Sequence, residues 1–248
     1  MVVELEVEEK FIISSMEDIE QQLKKNGFSE RKKVEFTDVY YDIPQQFYPL
    51  SLNDYWLRYR YENNNKSSSS GIWQLKCRIP STTNNDNNHV TTTTTVYQEY
   101  QGDEALERIC IFLQNINNEK NDDDDGGLLS KEQLDTLMDC PTNILPMELV
   151  KSNVQAFAKF TTIRSSWNQD TTTMSVDLDG TDFGHVVGEV EMIVSKEEDI
   201  PMAKQKIQQL LQTLEISSDN NSAAGKLETY LQKYNPTHYN ACHQAGIL

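Results

Sequence analysis

The chain has 248 residues, 37% of them apolar, with 39 acidic against 22 basic side chains and a formal net charge of −17. That length suits one large domain or two small ones. The acidic balance argues against nucleic acid or an anionic membrane as the main partner, because both reward a basic surface. No stretch approaches the ~20 apolar residues of a membrane span, and Met1–Glu6 runs into charges without the apolar core of a leader. Cys77, Cys110, Cys140 and Cys242 form no CxxC pair, which fits thiols in a reducing compartment better than a disulfide frame. The expectation is a cytoplasmic monomer that contacts neither nucleic acid nor membrane.

Val2–Ile13 alternates apolar and charged side chains and is predicted as a strand. Ser14-x-x-Glu17 then reads as a capping box opening a helix, with Met16, Ile19 and Leu23 on one face and Gly27 closing it. Four strands follow, over Val34–Asp42, Tyr55–Glu62, Ile72–Arg78 and Val96–Tyr100, before a helix at Leu106–Ile116. Three more are predicted at Ala156–Asn168, Thr172–Asp179 and Val186–Ser195, with turn chemistry at Asp179-Gly180-Thr181-Asp182. Pro201 starts a helix burying Ile207, Leu210, Leu211 and Leu214. Another begins near Lys226 and buries Leu227, Tyr230, Leu231 and Tyr234. Polar tracts at 63–70, 81–95, 117–127 and 217–222 carry little to bury and read as surface-loop insertions in a single domain over 1–240. About eight strands with appended helices make an α+β protein on an antiparallel sheet or barrel.

Side chains two apart share a strand face. Glu6, Glu8 and Lys10 therefore face one way and Leu5, Val7 and Phe11 the other. Asp177 and Asp179 oppose Val176 and Leu178, while Glu189 and Glu191 oppose Val190 and Met192. Arg58 and Arg60 share a face with Trp56, and Lys76 with Gln74. Solvated faces usually mix signs, because like charges side by side repel. Segregation by strand points to ligands that supply the counter-charge: carboxylates suit hard divalent cations such as Mg²⁺ or Mn²⁺, and clustered bases suit phosphate oxygens. HExxH, a Walker loop and a GxSxG elbow are absent, and His89, His185, His238 and His243 lack zinc-ligand spacing.

Glu6-Val-Glu8-Glu9-Lys10 resembles the ExExK signature of the CYTH superfamily, the triphosphate tunnel metalloenzymes. Further segments resemble that family in the same order: Thr37–Asp42, Trp56–Arg60, Trp73–Cys77, Arg164–Trp167, Val176–Asp179, Gly188–Glu191 and Lys226–Leu231. Together they are most similar to its eukaryotic thiamine triphosphatase branch. The resemblance implies a closed eight-stranded antiparallel β-barrel with peripheral helices and a polar tunnel. It also implies that Lys10, Arg58, Arg60, Lys76, Arg164 and Lys226 hold a triphosphate, and that Glu6, Glu8, Asp177, Asp179, Glu189 and Glu191 bind the metal. The expected reaction is metal-dependent hydrolysis of thiamine triphosphate to the diphosphate, with Lys10 and Tyr40 catalytic and Trp56 stacking on the thiazolium. Inorganic tripolyphosphate is the alternative substrate, and cyclase chemistry or polyphosphate binding without turnover are the alternative activities.

Overall fold

Alternation along the strands decides the architecture. A computed structural model describes residues 4–63, 71–79, 94–120, 149, 152–169, 173–216 and 223–248, the side chains of 116–120 excepted. The strands are β1 (Leu5–Ile12), β2 (Ser29–Asp42), β3 (Tyr55–Glu62), β4 (Ile72–Arg78), β5 (Thr95–Gln101), β6 (Gln155–Asn168), β7 (Met174–Thr181) and β8 (Val186–Val194). They close into an antiparallel barrel in the order β1-β5-β4-β3-β2-β6-β7-β8, as expected. Five α-helices accompany it among the described residues: α1 (Met16–Lys25), α2 (Asp103–Lys120), α3 (Ile200–Thr213), α4 (Lys226–Tyr234) and α5 (Pro236–Gln244).

The chain divides into two compact units, one of residues 1–36, 77–99 and 160–239, the other of 37–76, 100–159 and 240–248. In the first, the outer face of the barrel wall carries the core. Leu5, Val7 and Phe11 of β1 pack with Val176 and Leu178 of β7 and Val190, Met192 and Val194 of β8. Ile19 and Leu23 of α1 and Ala203, Ile207 and Leu211 of α3 cover them. Each such buried side chain contributes roughly 1.5–3 kcal/mol by leaving water. Strand parity then obliges the intervening residues of β1, β7 and β8 to face the lumen, and these are the carboxylates. Gly188 lies opposite Phe11 in the β1–β8 register, where a Cβ would meet the Phe11 ring at 2.1 Å. In the second unit Leu57, Trp73, Leu75, Ile109 and Leu113 are buried, and Phe112 of α2 stacks on Tyr55 with centroids 4.2 Å apart.

Several boundaries differ from expectation. Ser15, not Ser14, caps α1, accepting from the Asp18 backbone N–H at 3.3 Å. Gly27, with φ +81°, closes that helix in a Schellman arrangement in which Phe28 N–H donates to Leu23 C=O at 3.0 Å. The turn after β7 comes later than Asp179-Gly180-Thr181-Asp182, because Thr181 N–H donates to His185 C=O at 2.9 Å and carries the strand through Thr181. The tract expected as a loop from 117 has its first four residues in the last turn of α2. The rest of that tract, residues 64–70, 81–93 and 217–222, His89 and Cys140 lie outside the described residues.

Candidate active site

In the first unit, ladder register brings the charged residues together. Lys10 pairs across with Glu189, and Glu8 with Glu191. Glu189 also pairs with Asp177, and Asp179 with Arg164. Arg164 donates to Asp179 through Nε at 2.7 Å and Nη2 at 2.6 Å, the two-pronged geometry a guanidinium favours. Its Nη1 also meets Asp177, and Nη2 lies 3.7 Å from Glu189. Lys10 Nζ contacts Glu8 and lies 3.2 Å from Glu189, and Lys226 reaches Asp179 from the first residue of α4. Ser166 and Ser175 donate to Asp177 at 2.6 Å and to Glu191 at 2.9 Å.

Burial and charge pull these groups in different directions. Burial opposes ionisation of Asp179, but Lys226 and Arg164 outweigh it and hold the carboxyl below its ordinary range. Asp177 is pushed up by burial despite Arg164. Lys226 is pulled down by burial and by Arg164 beside it, with Asp179 opposing. Glu191 is pushed up to about 9, first by burial, then by the charge of Glu6 and a hydrogen bond with it, then by Glu189 and Asp177. The crowding of carboxylates around Glu191 thus favours its protonated form.

Among the described residues, no three His, Cys, Asp or Glu side chains are arranged to hold a metal ion. Asp177, Asp179, Glu8 and Glu189 turn instead toward Lys10, Arg164 and Lys226. The donor chemistry still fits a hard divalent cation, since every candidate offers carboxylate oxygen. At the Glu6–Glu191 pair, which shares a hydrogen bond, such a cation would relieve the carboxylate crowding that now favours a proton.

The second unit holds Tyr40, Trp56, Arg58, Arg60 and Lys76. Arg60 grips the fully buried Asp38 with two bonds of 2.7 Å. Arg58 Nε donates to Gln74 at 2.9 Å and Nη1 to the Tyr40 hydroxyl at 3.5 Å. Burial pushes the Tyr40 phenol up, with Arg58 opposing. Trp56 is 8% exposed and donates its indole N–H to Asp54 at 2.7 Å, while Asp54 sits at φ +60°. Lys76 is half-buried on the Gln74 face of β4. Sequence reasoning assigned no role to Asp38, Asp54, Gln74, Ser166, Ser175 or His185. Asp38, Gln74, Ser166 and Ser175 carried a signal, being two residues from Tyr40, Lys76, Arg164 and Asp177 on the same strand faces.

A closed barrel whose first unit turns apolar residues outward and paired carboxylates and bases inward defines the class, and the CYTH domain model matches residues 4–225. The chain belongs to the CYTH family. It is 30% identical to the thiamine-triphosphatase of Homo sapiens over 243 residues, spanning 95% of this chain and 87% of that protein. It is likewise 30% identical to that of Macaca fascicularis over 242 residues, with 95% and 87% covered. Among solved structures, a protein of Pyrococcus horikoshii OT3 superimposes with TM-score 0.53 at 16% identity, covering 93% of this chain and 99% of that one. HpAC1 from Hippeastrum, described as having a dominant triphosphatase activity, gives TM-score 0.51 at 15% identity over 92% and 96%.

Proposed function

We propose that this chain is a metal-dependent triphosphatase that hydrolyses thiamine triphosphate to thiamine diphosphate and phosphate, acting as a monomeric, single-domain cytoplasmic enzyme with Mg²⁺ or Mn²⁺. The observation that carries the reading is the ion-paired set Lys10, Arg164 and Lys226 on Glu8, Asp177, Asp179 and Glu189. The 30% identity to thiamine-triphosphatase over 95% of the chain supports the organic substrate. A triphosphate competes for the three bases, and the carboxylates they release, together with Glu6 and Glu191, become available to the cation. Bound there, a divalent cation neutralises charge and polarises phosphoryl oxygen. Arg164 offers two parallel donors to one phosphate group, while Lys10 and Lys226 act as point charges. Arg58, Arg60 and Lys76 are taken as further phosphate-binding bases, as the family resemblance implies. Tyr40, whose phenol is held protonated by burial, serves as a proton or hydrogen-bond donor and not as a base.

Inorganic tripolyphosphate stands as the second reading, favoured by the near-complete burial of Trp56, which leaves little aromatic face for a heterocycle. The test is phosphate release from thiamine triphosphate, tripolyphosphate and ATP, with product analysis, in Mg²⁺ and in excess EDTA. Preferential turnover of thiamine triphosphate that stops with EDTA is expected. Full activity in EDTA, formation of cyclic AMP from ATP, or no turnover of any triphosphate would each overturn the reading.

No helix among the described residues is long and apolar enough to cross a membrane.

A further inference from the structure

The turn joining β7 to β8 does more than reverse the chain. Its His185 ring lies 3.0 Å through Nε2 from the carbonyl of Ala224, two residues before Lys226. A carbonyl can only accept, so Nε2 carries the hydrogen and donates. The backbone of His185 is fixed from below: its N–H donates to Thr181 Oγ1 at 2.9 Å, and its carbonyl accepts from Thr181 N–H at 2.9 Å and Oγ1 at 3.0 Å. Its ring is parallel to Phe183, with centroids 6.2 Å apart and 3° between planes. Phe183 in turn meets Tyr230 and Tyr234 of α4 edge-on at 5.5 and 6.3 Å, and its carbonyl accepts from Lys233 at 3.2 Å. The same turn thus holds α4 from both sides of Lys226, by the backbone ahead of it and by the aromatic face behind it. Lys226 reaches Asp179 on β7, the strand that leads into this turn.

We propose that His185 is a positioning residue for the substrate-binding Lys226, clasping the segment before α4 so that the lysine is delivered to the phosphate site. The inference rests on the assignment of Lys226 to triphosphate binding. A lysine has a flexible four-carbon stem, and its contribution depends on where its backbone starts. His185→Ala removes the donor, His185→Phe keeps the stacking on Phe183 without it, and His185→Gln retains a side-chain N–H. Each is measured for kcat and KM on tripolyphosphate, alone and in a Lys226→Ala background.

His185→Ala and His185→Phe are expected to raise KM about tenfold, with a smaller change in kcat and with recovery in His185→Gln. In the Lys226→Ala background, the same changes at His185 are expected to have no further effect. Wild-type KM in His185→Ala, together with impaired Lys226→Ala, overturns the clasp alone. An equal loss from His185→Ala in both backgrounds also overturns it, since the residue then acts on folding and not through the lysine. Wild-type kinetics in Lys226→Ala overturns the assignment of Lys226, and the clasp falls with it.

Discussion

Glu8 and Glu191 stand directly opposite one another in the β1–β8 ladder, two carboxylates where antiparallel pairs ordinarily place opposite charges or apolar side chains. The Glu191 carboxyl is pushed up to about 9 from an ordinary 4.5, by burial first and then by Glu6, Glu189 and Asp177. A folded value above the unfolded one means that the group's stabilising contribution is complete below the unfolded value. That contribution is lost as pH rises toward the folded value. At neutral pH the metal-free protein therefore carries a cost that folding alone does not explain.

Replacing Glu191 with Gln keeps the shape and removes the ionisation. The metal-free variant is expected to be more stable at pH 8 by about 1–2 kcal/mol, a rise in Tm of a few degrees for a chain of this size. Its metal-dependent turnover is expected to fall on the order of 100-fold. Scanning calorimetry with EDTA decides the first half, and a Tm equal to or below wild type would contradict it.

Arg164 and Lys10 offer a contrast between a structural and an accessible base. Arg164 is the counter-charge for Asp177 and Asp179 and approaches Glu189. Removing it leaves buried carboxylates behind, so Arg164→Ala should cost about 3–5 kcal/mol in the metal-free protein. Lys10→Ala also strands Glu8, whose side chain is 1% exposed, but with 26% of the Lys10 side chain exposed water reaches the gap, so it should cost less than Arg164→Ala, about 1–3 kcal/mol, while still sharply lowering turnover. Urea unfolding of both variants checks the pair. Equal destabilisation by the two substitutions would show that the ion pairs do not differ in this way.

The strand faces were legible because alternation has period two, and a buried outer face leaves its neighbours nowhere to point but the lumen. Glu6, Glu8, Lys10, Asp177, Asp179, Glu189 and Glu191 fall out of that rule together. What was not legible depends on partners distant in sequence. Asp38 lies on the Tyr40 face of β2, but its partner, the Arg60 guanidinium, comes 22 residues later. His185 reads as a turn residue until Ala224 arrives 39 residues on. The choice between Ser14 and Ser15 as cap turns on one hydrogen bond, which the Ser-Ser pair leaves open. α5 escaped because Pro236–Gln244 has little apolar periodicity, and its placement rests on the buried His238 and Cys242.

His238 itself gives a pH prediction. Its side chain is 0% exposed, and burial pushes its imidazole down to about 4 from 6.5. A folded value below the unfolded one gives stability that is present above about 6.5 and is lost as pH falls toward 4. Over that window the wild type should lose up to about 3 kcal/mol more than a His238→Leu variant. Urea midpoints at pH 7 and pH 4.5 for both proteins measure the difference. Parallel acid limbs would remove His238 from the account.

Substitution of Trp56 separates the two substrate readings. Trp56 shares a strand face with Arg58 and Arg60, and its indole N–H is fixed by Asp54 at 2.7 Å, so the ring has one orientation. A cationic thiazolium against that ring gains roughly 0.5–2 kcal/mol, or about 2- to 30-fold in affinity. Inorganic tripolyphosphate has no group to use it. Trp56→Ala should therefore lower kcat/KM for thiamine triphosphate within that range and leave tripolyphosphate nearly unchanged. Asp54→Ala, which frees the indole without removing it, should reproduce part of the same selective loss. Loss of tryptophan fluorescence change on adding thiamine triphosphate to the Trp56 variant, with no such change for tripolyphosphate in wild type, gives an independent reading. If Trp56→Ala impairs both substrates equally, the ring is packing for the Arg58–Arg60 strand. The same holds if wild type prefers tripolyphosphate, and in either case the thiamine assignment is withdrawn.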